Sequence, residues 1–128
     1  MRVSSLIALT ALTLACGGDS GGTQPPPPPP STATVSTPSQ TFSPDSVRIA
    51  AGGTVTWNIQ GVQPHNVHFV NATPFPGNSA VSGTPVTSGT VAGTFSTPGT
   101  YLYYCEPHGS GTSNPPSVSG MSGKIVVE

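Results

Sequence analysis

The segment Tyr101-Leu102-Tyr103-Tyr104-Cys105-Glu106-Pro107-His108 is followed by Gly120-Met121-Ser122-Gly123-Lys124. Together they put a thiol, an imidazole and a thioether near the end of a 128-residue chain. Further imidazoles stand upstream, in Pro64-His65-Asn66-Val67-His68-Phe69. Two imidazoles, one thiolate and a weak thioether make up the donor set that holds copper for one-electron transfer. The two oxidation states of copper favour different ligands, and this mixed set suits both tolerably. The thiolate binds only when deprotonated, the imidazole through a neutral nitrogen, and the soft thioether tunes rather than anchors. Taken singly, the cysteine reads as an inert buried thiol, the second histidine as a loop residue and the methionine as core filler. It is their joint occurrence that favours a metal. Zinc also takes Cys and His, but its structural sites use four strong ligands, and this set offers three and a thioether.

Such donors must be held by a rigid frame, and the composition says what kind. Only 5% of residues are charged and the formal net charge is -1, which excludes the basic face a nucleic-acid partner requires. It also argues against electrostatic docking on anionic lipid. Sixteen Gly and sixteen Pro point to abundant turns, and the Thr, Ser and Val that dominate the rest favour strands. Val47 and Ile49 alternate with Arg48, Gly52-Gly53 makes a turn, and Val55, Trp57 and Ile59 alternate with Thr54, Thr56 and Asn58. Period two with regular turn signals predicts an all-β, antiparallel or mixed sandwich. Residues 64–70 read as one more strand, with His65, Val67 and Phe69 on one face and Asn66 and His68 on the other. This parity favours His65 over its rival His68 as the imidazole that points inward with Cys105, Tyr103 and Tyr101. Residues 71–89 read as a long loop containing the glycosylation-type triplet Asn71-Ala72-Thr73. Segments 94–96, 100–105 and 123–127 supply the last strands, with Ile125 and Val127 facing inward. Residues 109–120 read as a second long loop with turn chemistry and little apolar content, contributing little to the core and altering partner docking beside His108.

The N-terminal part reads differently. Residues 1–15 start at Arg2 and run through Leu6-Ile7-Ala8-Leu9 to Leu14-Ala15, the pattern of a cleaved export signal, too short to span a membrane. Cys16 after Leu-Ala resembles the acylated cysteine of bacterial lipoproteins, which would make it a lipid anchor. Residues 16–32, with Gly17-Gly18 and the run Pro25 to Pro30, read as a spacer, flexible and then stiff. The remaining domain is 33–128. A bridge between Cys16 and Cys105, the two cysteines, would tie the signal segment to the core. Cys105 therefore reads as a free thiol in an exported protein, which metal ligation explains.

From Phe42 onward the chain resembles the cupredoxins of the plastocyanin and amicyanin type. The resemblance is carried by Pro64-His65-Asn66-Val67, Tyr104-Cys105-Glu106-Pro107-His108 and Gly120-Met121-Ser122-Gly123-Lys124. It implies a Greek-key sandwich and one type 1 copper. It assigns His65, Cys105 and His108 as ligands and Met121 as the axial ligand. Asn66 would tie the two ligand loops by hydrogen bonds, and His108 and Tyr104 would be the points where electrons leave. In the family the segment between the second His and the Met is shorter than Gly109–Gly120. The expected function is single-electron carriage between redox proteins in the cell envelope or periplasm, as a membrane-anchored monomer without substrate chemistry of its own. Copper delivery without electron transfer is the alternative.

Overall fold

The computed structural model describes residues 24–70 and 83–128. The residue range 1–15, Cys16 and the Asn71-Ala72-Thr73 triplet lie outside them. Eight strands follow in order: β1 (Thr32–Ser39), β2 (Thr41–Ser43), β3 (Ser46–Ile49), β4 (Gly53–His65), β5 (His68–Phe69), β6 (Val86–Phe95), β7 (Gly99–Ser113) and β8 (Pro116–Val127). They form two four-stranded sheets, β2-β1-β4-β6 and β3-β8-β7-β5. The pairs β1/β4 and β3/β8 are parallel and the others antiparallel, so the molecule is the mixed sandwich its alternating sequence implies.

Strand β4 shows why. Its β-branched and aromatic residues Val55, Trp57 and Ile59 are buried, while Thr54, Thr56 and Asn58 between them stay partly exposed. This is the in–out alternation of a half-buried strand. Trp57 lies edge-on to Tyr103 (5.4 Å) and Phe69 (6.0 Å), and Phe42 lies edge-on to Tyr103 (4.9 Å). These rings, with Val35, Ile49, Phe95, Ile125 and Val127, fill the space between the sheets. The turn before β4 uses Gly52 at φ 83°, a conformation that side chains oppose. The proline run ends docked on the domain: the Ala50 N–H donates to the Pro30 carbonyl (2.8 Å) and the Thr54 N–H to that of Ser31 (2.9 Å).

Three expectations fail here. Residues 64–70 are not one strand: β4 ends at His65 and β5 begins at His68 in the other sheet. The chain crosses between sheets at Asn66-Val67, and both residues are buried, so strict alternation does not hold. Residues 86–89 belong to β6, whose polar start hid it. Residues 109–120 are not a loop. They continue β7 and β8 as a two-stranded ribbon, with Gly109 opposite Gly120, Gly111 opposite Val118 and Ser113 opposite Pro116. Ladder hydrogen bonds and paired hydroxyls hold this ribbon where apolar periodicity is absent.

Candidate metal centre

The ladder between β7 and β8 breaks once. Tyr104 pairs with Ser122, and the next pair is Gly109 with Gly120. Four residues, Cys105 to His108, thus stand opposite Met121 alone. A break of this kind re-aims side chains that a regular strand would turn to alternate faces. Here it gathers Cys105 and His108, three residues apart, while β4 delivers His65 from the opposite sheet. The Cys105 Sγ lies 3.6 Å from His65 Nδ1 and 3.5 Å from His108 Nδ1. All three donor atoms fall within 4.8 Å of one another, the one such group among the described residues. Donors about 2.0–2.3 Å from a shared ion at wide angles stand about 3.5 Å apart, so the spacing fits one metal ion.

Burial tunes the donors. Cys105 and His65 are buried, His108 partly exposed. Burial pushes the Cys105 thiol up, and the neighbouring Glu106 charge adds to this; backbone N–H groups of Asn66 and His108 act the other way by favouring the thiolate. Burial pushes the His65 imidazole down, helped by repulsion from His108. His65 is thereby kept neutral, the form that binds metal. Met121 is buried in the core cluster. Gly109 beside it has no room for a side chain, since a Cβ there would lie 2.8 Å from the Met121 carbonyl oxygen.

Around the donors runs a hydrogen-bonded clamp. The Asn66 Oδ1 accepts from the Glu106 N–H (2.9 Å), and its Nδ2 donates to the Glu106 carboxylate and to the Gly83 carbonyl (3.1 Å). Glu106 also reaches His68, whose Nδ1 lies 3.5 Å from its Oε1. Sequence reasoning gave Glu106 no role of its own. Its adjacency to Cys105 was the signal that it belongs to the clamp. His68 sits apart from the donors, with its ring 5.0 Å from that of Tyr104.

The model of the copper-binding proteins of the plastocyanin/azurin family matches residues 31–128. The chain belongs to that family. Amicyanin-alpha of Methylorubrum extorquens is 40% identical over 89 residues, covering 68% of this chain and 64% of that protein. Plastocyanin of Prochlorothrix hollandica is 34% identical over 90 residues, covering 68% and 63%. The chain therefore spans a little under two thirds of the length of these two relatives. Among solved structures, amicyanin from Paracoccus versutus superposes with a TM-score of 0.56 at 33% identity, covering 76% of this chain and 81% of that one. The cupredoxin fold and its copper cofactor account for the donor set. They also explain why a free thiol is kept buried beside two imidazoles.

Proposed function

We propose that the domain is a one-electron carrier, with His65, Cys105 and His108 as the copper ligands and Met121 as a weak fourth. Convergence of one Sγ and two Nδ1 atoms at 3.5–3.6 Å carries this reading. Copper bound there supplies a reversible one-electron couple. The chain's own part is to keep the donors from moving. Cys105 and His65 are buried, and Asn66 ties their loops together. His108 is the ligand that reaches solvent and so the point nearest a partner. Such rigidity favours electron exchange over copper delivery, which requires ligands to open. The partners are a donor and an acceptor redox protein. Residues 1–15 are read as an export signal and Cys16 as a lipidated anchor. Residues 17–32 are read as the spacer that holds domain 33–128 off a membrane, a reading supported by the Arg2 start, the short apolar run and the proline tract.

The test is the visible spectrum and voltammetry of the copper-loaded chain. An intense blue band and a reversible couple are expected, with the band absent in Cys105→Ser. A colourless protein that still binds copper stoichiometrically overturns the carrier reading.

A further inference from the structure

The ribbon Gly109–Gly120 does not project away from the sandwich. Its two faces differ in chemistry. On one, Ser110 and Ser119 pair through their hydroxyls (2.9 Å), as do Thr112 and Ser117 (2.7 Å). Strand alternation puts Gly111 and its direct partner Val118 on the other. That second face lies on the outer side of β7. Gly111 is packed so closely that a Cβ there would stand 2.8 Å from Cδ1 and Cε1 of Tyr104 and 2.7 Å from Cγ2 of Val70. Val118 shares a surface groove with Leu102, the next outward-facing residue of β7. The base of the ribbon is equally tight: Gly120 is at φ 70°, and a Cβ on it would lie 2.6 Å from the His108 carbonyl oxygen. Glycines at 109, 111 and 120 thus let the ribbon turn back and lie flat, with its hydroxyls to solvent. The Tyr104 ring then has Gly111 against it and the His68 ring 5.0 Å away, and stays only partly exposed.

We propose that this ribbon is a built-in cover over the Tyr104 face. It closes the aromatic route beside Cys105 to partner proteins and leaves the His108 end as the surface on which a redox protein docks. The inference rests on the electron-carrier reading for its functional half. The cover itself rests on packing alone. Gly111 is the determinant: a side chain there must push the ribbon off Tyr104 or displace Val70.

Tyrosine labelling with N-acetylimidazole tests the cover in the full, copper-loaded chain, with O-acetylation located by mass spectrometry and Tyr101 as internal reference. Tyr104 should label several-fold more slowly than in a variant lacking residues 111–118, because the ribbon lies against the Cδ1–Cε1 edge of its ring and local opening is needed to free that edge. Gly111→Val, which keeps the whole ribbon, should likewise raise Tyr104 labelling. Equal labelling of Tyr104 in the intact chain and in whichever of these variants retains its fold overturns the cover. For the docking half, one electron passes from the reduced protein to ferricytochrome c. Tyr104→Leu in the intact chain should change this rate by less than about twofold, since interface substitutions act only where the partner sits. A tenfold loss would show that the Tyr104 face is open. A chain without a reversible copper couple would refute the carrier reading, and labelling would still decide the cover.

Discussion

Asn66 grips Glu106 at both ends: its amide oxygen accepts from the Glu106 backbone N–H, and its amide nitrogen donates to the Glu106 carboxylate. The two residues are 40 positions apart and each adjoins a proposed copper ligand, His65 and Cys105. The clamp therefore fixes the distance between the two ligand-bearing segments. Partners of this kind orient ligands without touching the metal.

Removing the clamp should cost stability and metal-site order together. Asn66 is buried, and Asn66→Ala leaves the Glu106 N–H and the Gly83 carbonyl without their partner. The expected loss is about 2–3 kcal/mol in urea unfolding of the metal-free protein. The blue band should persist but broaden. An unfolding midpoint equal to that of the unmodified protein would show that the clamp contributes nothing.

The two upstream imidazoles separate cleanly. His65→Ala should abolish the blue band, because it removes a donor 3.6 Å from the Cys105 sulfur. His68→Ala should keep it, because that ring contacts Tyr104 and Glu106 instead. The reverse pattern of colours in the two variants would sink the assignment.

Much of this fold and site is legible in the sequence. The alternation of Val55, Trp57 and Ile59 is a local property of one half-buried strand, and it foretold the sandwich. The donor residues were legible because Cys, His and Met are few. The burial of Asn66 and the ribbon were not, although the resemblance implies that Asn66 ties the two ligand loops. Asn66 is buried because the chain changes sheets there, and a change of sheet leaves no mark in residue periodicity. Residues 109–120 carry Gly, Ser and Pro, which signal turns. Their strands are held by backbone pairing and by hydroxyls such as those of Thr112 and Ser117, contacts that exist only once the two segments meet.

The two buried donors predict a bell-shaped stability profile for the metal-free protein. His65 ordinarily titrates at 6.5 and is depressed in the fold, so the unfolded chain takes up its proton first as pH falls. Stability is full above 6.5 and is lost below it, down through the folded value. Cys105 ordinarily titrates at 9.0 and is raised in the fold, so the unfolded chain loses its proton first as pH rises. Stability is full below 9.0 and is lost above it, up through the folded value. Urea midpoints should therefore peak between these limits, and His65→Gln should flatten the acid limb alone. An acid limb unchanged in that variant would remove His65 as its cause.

The final prediction concerns how partners meet the copper end. No charged side chain occurs between Arg48 and Glu106, or between Glu106 and Lys124. Both outlying charges Arg48 and Glu128 neutralise each other in an ion pair. Lys124 lies three positions along the strand from Met121, about 10 Å at strand rise, beyond the ~8 Å over which exposed charges act at physiological salt. Among the described residues, Glu106 adjoins Cys105 in sequence, and Asp45 lines one groove with Met121 and another with Lys124. The Glu106 carboxylate accepts a hydrogen bond from Asn66, and His68 Nδ1 lies 3.5 Å away. Two molecules that approach through their His108 ends present faces with few formal charges, so charge steers their encounter only weakly. The electron self-exchange rate, measured by NMR line broadening on mixed reduced and oxidised protein, should vary by less than about twofold between low and high salt. A tenfold dependence would mean that the charged groups of the far end take part in the encounter, and that the copper end is not where the molecules meet.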